Sequence, residues 1–286
     1  MIWLQTLLNG ALLGSLYALF GLGFAFAFGI IRIVNVAQGE FIVLSAFISL
    51  LLLWFAPINP LFMLVPIAII LFGVGYLMQS TLLNRVLGPD PLPGLMITFG
   101  VSIALRNGLT QFFGADNRRI DAGWLNLAGF DFLGLRFGVL SLVILAVTLV
   151  LFIGLDLVMK KTPFGRIVRA TADDFEIVQL FGVNYARVYC IAMGISLALA
   201  SSAGLLIAMR SSFTPFSGVD RLLLAFEVVI IGGLGSIWGM FAGGIILGVT
   251  ELVGLHFNPN AGLLYTHIVF FLILMIAPKG LASWRA

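Results

Sequence analysis

Charge is scarce in this 286-residue chain: 9% of residues are charged and 61% are hydrophobic. Average soluble domains carry roughly 25% charged residues. Fifteen basic and twelve acidic side chains cannot cover the surface of a soluble domain this long. The mean hydropathy of +1.16 agrees. That balance argues against a soluble enzyme, a nucleic-acid-binding domain and a disordered chain. Cysteine is nearly absent too. Cys190 stands alone, so there is no internal disulfide and no cysteine metal cluster, and the thiol reads as packing. Lysine is limited to Lys160, Lys161 and Lys279, and none completes a GxxxxGK[ST] phosphate loop. No HExxH or GxSxG occurs, and no GxGxxG follows a strand pattern. The chain therefore carries no means of hydrolysing ATP, and a pump built on it needs a separate energy source.

What the sequence has in abundance is apolar runs. A spanning helix needs about 20 mostly apolar residues. Met1 to Ile31 and Phe41 to Asn84 contain no charged side chain, and the second run is divided by the turn signal Pro57 to Pro60. Further spans fall at Pro91–Gly114, Phe137–Leu155, Val188–Met209, Leu222–Thr250 and Gly262–Pro278. This predicts an all-α polytopic bundle of about eight or nine membrane segments, one of them broken or re-entrant. Met1 to Ile31 has no basic leading region and is longer than a signal-peptide core of about 7–15 residues. It reads as a retained first helix.

Alternating the spans sorts the basic residues. With the loop around Lys160 in the cytoplasm, that side receives Arg32, Arg85, Lys160, Lys161, Arg166, Arg169, Arg187, Lys279 and Arg285. The other side receives Arg118, Arg119, Arg136, Arg210 and Arg221. This satisfies the positive-inside rule. The N-terminus is then outside and the C-terminus inside.

The longest polar stretch, Lys160 to Arg187, has internal design. Thr162-Pro163 reads as an N-cap with proline at the first helical position. Thr171-Ala-Asp-Asp174 resembles a capping box with Asp in place of Glu. Ile177, Leu180 and Phe181 then fall on one face, and Gly182 is a C-cap candidate. These features predict a short amphipathic helix near Ala172–Phe181 whose apolar stripe needs a partner.

Gly235, Gly239 and Gly243 are spaced by four, as are Gly244 and Gly248. Such spacing allows close helix packing. Gly232, Gly233 and Gly235 would also permit a helix break lining a pathway. Charge at membrane depth is costly and is a functional candidate wherever it occurs. Arg106 lies well inside its span and is expected to snorkel to the outer face. The alternative is attraction of an anionic group in a translocation path. Glu227 and Glu251 lie in or near the glycine-rich segments, and Glu40 follows Asn35-Val-Ala-Gln-Gly39. His256 and His267 are read as loop or interface residues, with no metal site.

Several segments resemble one family when read together. Asn9-Gly-Ala-Leu-Leu-Gly-Ser-Leu-Tyr-Ala-Leu19 precedes Gly29-Ile-Ile-Arg-Ile-Val-Asn-Val-Ala-Gln-Gly-Glu40. Gly165-Arg-Ile-Val-Arg-Ala170, Ala172-Asp-Asp174 and Leu180-Phe-Gly-Val-Asn184 follow in the polar loop. Ile231-Gly-Gly-Leu-Gly-Ser-Ile237, Gly243-Gly-Ile-Ile-Leu-Gly248 and Ala277-Pro-Lys-Gly280 come last. In order and spacing they resemble the shorter permease of bacterial branched-chain amino acid ABC transporters, over nearly the whole chain. Three positions depart from the family: Gln38, Trp238 and the charged Arg106.

The resemblance implies one permease domain over residues 1–286 in the bacterial inner membrane, with a cytoplasmic coupling loop at about 160–187. It implies four kinds of neighbour: a second permease, two cytoplasmic ATPases, a periplasmic or lipid-anchored binding protein, and the lipid bilayer. It assigns ATPase coupling to Arg169, Ala170, Asp173, Asp174 and Gly182. Candidate pathway or helix-break residues are Asn35, Gln38, Glu40, Arg106, Glu227, Gly232, Gly233, Gly235 and Glu251. No covalent chemistry and no bound cofactor are expected. The rivals are an importer of urea, amides or other amino acids, a secondary carrier using Glu40, Glu227 and Glu251, and a structural subunit.

Overall fold

A computed structural model describes residues 2–55, 58–88, 90–132, 134–278, 280 and 281. Pro57, Lys279 and Arg285, which entered the turn and charge readings above, lie outside them. The helices are α1 (Ile2–Ile31), α2 (Gln38–Phe55), α3 (Leu64–Thr81), α4 (Leu92–Phe113), α5 (Trp124–Leu127) and α6 (Val139–Lys161). They continue with α7 (Pro163–Asp173), α8 (Phe175–Leu180), α9 (Tyr185–Arg210), α10 (Gly218–Gly232), α11 (Ile237–Phe257) and α12 (Gly262–Ile276). A small antiparallel hairpin, β1 (Gly129–Phe132) and β2 (Leu135–Gly138), interrupts the all-helical pattern.

Among the described residues, seven helices are long and apolar enough to cross a membrane: α1, α2, α4, α6, α9, α11 and the stretch Pro60–Arg85 that contains α3. Helices α10 and α12 have 15 residues each and are shorter. The chain is a multi-pass membrane protein.

Helix α1 has no polar face. A helix that is apolar all round belongs inside protein or lipid, and α1 is buried by α11, α9, α10 and α6. Helix α9 is its internal companion. Glycine makes the α1–α11 contact possible. A Cβ on Gly10 would lie 2.6 Å from the Cα of Val249, and one on Gly14 would lie 2.5 Å from that of Ile245. Gly244 and Gly248 face the same seam from α11. Backbone meets backbone there, the small-residue packing that helices use in lipid.

Two breaks between the long helices, residues 32–37 and 211–217 (the second ending in the 3₁₀ turn Pro215–Ser217), would be costly in a membrane if their backbone groups were unpaired. Several of these groups are paired. The Ala37 N–H donates to Asn35 Oδ1 at 3.1 Å, and the Val36 N–H donates to Thr98 Oγ1 at 3.2 Å. Arg118 and Phe213 exchange backbone bonds of 2.9 and 2.8 Å. The two breaks allow α2 and α10 to start side by side. A Cβ on Gly39 would strike the Gly218 carbonyl.

The fold separates the two basic groups. One end carries α7, α8, Arg32, Lys160 and Arg169, with Gly235 and Ser236 alongside. The other carries Arg118, Arg136 and Arg210 with the hairpin, held by bonds such as Arg136 N–H to Gln5 Oε1 at 2.9 Å.

Candidate functional site: a polar seam and an exposed helical loop

The loop after α6 forms a corner of two helices. The Thr162 side chain accepts the Gly165 N–H at 3.1 Å and Pro163 follows it, as the sequence predicts. The predicted box at Thr171 is not a cap. Helix α7 runs on to Asp173, and the Thr171 hydroxyl donates back to Ile167 O at 2.8 Å. The helix start lies three residues later. Asp174 Oδ1 accepts the N–H groups of Glu176 and Ile177 at 2.9 and 3.1 Å. The single helix expected over Ala172–Phe181 is therefore two, because Asp174 adopts an extended backbone between them.

Gly182 has φ +78°, a conformation that favours glycine, and its N–H donates to Gln179 O at 2.9 Å. Arg169, Ala170, Asp173, Asp174 and Gly182 are all exposed. Arg169 also donates to the Met159 carbonyl of α6. Val178 alone anchors α8 inward, while Leu180 is 86% and Phe181 82% exposed. Phe175 and Ile177 are exposed beside them. A cleft of about 550 Å³ lies behind this surface, lined by Arg32, Leu87, Asp90, Asp173, Asp174 and Tyr185.

The second constellation is a polar seam inside the bundle. Asn35 Nδ2 donates to Gln38 Oε1 at 3.1 Å, and Gln38 Nε2 donates to Ser196 Oγ at 3.3 Å. Ser196 in turn donates to Gly23 O at 2.6 Å. This chain ties the α1–α2 break to α9 and leaves Asn35 and Gln38 fully engaged.

Glu40 sits one turn on. Its Oε1 accepts Arg106 Nε at 3.0 Å, Arg106 Nη2, and Ser102 Oγ at 3.2 Å. Its Oε2 has no hydrogen-bond partner among the described residues and lies against Gly218, where a Cβ would overlap the carboxylate. The snorkelling expected of Arg106 is thus corrected. Its side chain turns into the protein toward a buried carboxylate 66 residues away in sequence. Without Arg106 the buried Glu40 carboxylate would be left unpaired, which is strongly destabilising. Thr98, Ser102 and Arg106 recur every four residues, so all three fall on the stripe of α4 that faces α2.

The other two candidate acids are paired elsewhere. Glu227 Oε1 meets His267 Nδ1 at 2.6 Å, joining α10 to α12. His267 therefore lies inside α12 and not in a loop. Tyr17 donates to Glu251, joining α1 to α11. Each acid bridges a different pair of helices. Gly232 ends α10, and Gly233 and Gly235 turn the chain with φ +86° and +98° before α11. That turn lies at the α7 end, next to Asp156, Lys160 and Arg169.

Sequence reading missed Ser102, Ser196 and Gly218. The four-residue spacing of Thr98, Ser102 and Arg106 was the available signal for the first.

Residues 6–278 match the family described as branched-chain amino acid transport system / permease component. The chain is 31% identical to the high-affinity branched-chain amino acid transport system permease protein BraD of Pseudomonas aeruginosa, over 98% of this chain and 95% of the relative. It is 28% identical to the corresponding permease LivH of Salmonella typhimurium, with the same shares covered. The ribose import permease RbsC of Haemophilus influenzae is 26% identical over 66% of this chain and 59% of that protein. Among solved structures, PsaBC of Streptococcus pneumoniae in complex with Fab superposes with a TM-score of 0.51 at 15% identity. That match covers 96% of this chain and 92% of the other and extends to the fold alone.

Proposed function

Because this chain belongs to the branched-chain amino acid transport system permease family, we propose that it forms, with a second permease, the pathway by which an ABC importer takes up branched-chain amino acids. Two cytoplasmic ATPases power it, and a binding protein outside delivers the substrate. The chain sits in the bacterial cytoplasmic membrane with α7, α8 and the Leu281 end inside and the hairpin outside.

The observation that carries this reading is the α7–α8 corner. Contiguous apolar surface on a soluble-facing loop marks an interaction site. Ile177, Leu180 and Phe181 fall on one exposed face of α8, and Arg169, Asp173 and Asp174 are exposed just before it in the chain. A rigid element moved by a nucleotide-driven partner can transmit force into α6 and α9, to which α7 and α8 are joined. Arg169 bonded to the end of α6 would carry part of that load. A secondary carrier needs no such surface, and its candidate carboxylates are here each held by another helix.

The test is uptake of labelled leucine, isoleucine and valine by the purified complex in liposomes. Uptake that requires ATP and is lost in Leu180→Ser/Phe181→Ser is expected. Uptake that follows an ion gradient without ATP would contradict the proposal.

A further inference from the structure

We propose that Arg106 is a carboxylate-reading residue of the pathway, and that Glu40 holds its guanidinium in place for that purpose. This rests on the importer reading and names the contact that recognises the substrate's α-carboxylate.

Charge balance is the first argument. Glu40 lies in the first turn of α2 and against Gly218 at the start of α10. A helix N-terminus carries about half a positive charge. The start of α2 and the Arg106 guanidinium face the Glu40 carboxylate, while Asp220 in the first turn of α10 offsets that helix's own terminus. The Glu40 carboxylate is thus fully matched, and an anion approaching Arg106 meets no net negative charge from the pair.

Geometry is the second argument. Arg106 spends Nε and Nη2 on Glu40 Oε1, and its Nη1 has no hydrogen-bond partner among the described residues. The side chain is 29% exposed while that of Glu40 is 2% exposed. The pair thus presents guanidinium, not carboxylate, to the outside of this subunit. Arg106 emerges on α4, most of which this chain leaves uncovered. Ile103 and Phe99 are exposed on the same helix one and two turns away. A fixed guanidinium donor near apolar surface suits a branched-chain amino acid, which offers a carboxylate and an aliphatic side chain. Arginine binds carboxylates through its planar donor array.

A carboxylate from the second permease could reach the same donor, and the test separates the two sources. The whole transporter is reconstituted with Arg106→Lys, Arg106→Gln and the double variant Glu40→Gln/Arg106→Gln. The double variant removes both charges and keeps amide partners, so it isolates the outward-facing donor from the need to neutralise Glu40. If Arg106 reads substrate, the double variant co-purifies with the second permease and keeps its melting temperature. Its ATP-driven leucine turnover falls about ten-fold or more, the loss of a charge-assisted hydrogen bond. Arg106→Lys, which restores charge without the planar array, recovers only part. Wild-type turnover in the double variant would overturn the proposal by making the pair purely structural. Loss of the second permease would overturn it in favour of an intersubunit contact. Failure of the importer reading is distinct, since wild-type protein would then show no ATP-driven leucine uptake at all.

Discussion

Replacing Asp174 tests how the coupling surface is built. Helix α8 has six residues, far below the roughly 12–15 needed for a helix to persist alone. Its order depends on two supports: the inward Val178 and the Asp174 carboxylate, which accepts two backbone N–H groups. Loss of an N-cap costs about 1 kcal/mol. For so marginal a helix that is about a five-fold fall in the ordered population. If the ATPase grips ordered α8, its affinity for Asp174→Ala falls by up to about five-fold. Asp174→Asn keeps a capping oxygen and is expected to bind within two-fold of wild type. Titration of the labelled ATPase against the permease pair in nanodiscs measures both. Hydrogen exchange over residues 175–180 reports the helix directly. Equal weakening in the Asn and Ala variants would refute the capping argument and make the carboxylate itself the contact. Unchanged binding in Asp174→Ala would refute the claim that α8 must be ordered.

Three further outcomes are expected. Gly248→Val places a branched side chain against Gly10 and Gly14, and overpacking of about 1–3 kcal/mol should lower the melting temperature in detergent, whereas Gly29→Ala, with open space around it, should not. His267→Ala strands the buried Glu227 and should cost about 2–3 kcal/mol in the same assay, with Glu227→Gln/His267→Gln recovering most of it. Gly182→Ala must adopt φ +78° at about 1–2 kcal/mol and should weaken ATPase binding, with Gly182→Asn milder.

Local chemistry was readable because local chemistry decided it. Thr162-Pro163 starts α7 through a bond spanning three residues, and Gly182 closes α8 through its own backbone freedom. The spacing of Gly244 and Gly248 announced close packing, but its partners Gly10 and Gly14 came only with the fold. Thr171 misled because its hydroxyl had two acceptable uses, and the continuing α7 backbone offered the Ile167 carbonyl first. Arg106 misled for a different reason. Snorkelling assumes that water is the nearest polar phase, and a buried carboxylate from α2 was nearer. That pairing depends on the breaks at 32–37 and 211–217, which bring α2, α4 and the start of α10 together. The hairpin at 129–138 has four-residue strands, too short for a periodic signal.

The most direct measurement is extraction of a tagged copy from its native membrane in mild detergent, followed by identification of everything that accompanies it. A second permease and two phosphate-loop ATPases are expected, with the ATPases lost when Leu180 and Phe181 are both replaced by serine. Recovery of the chain alone, from membranes whose leucine uptake follows an ion gradient and not ATP, would contradict the importer. Glu40, Glu227 and Glu251 would then be the first carboxylates to replace.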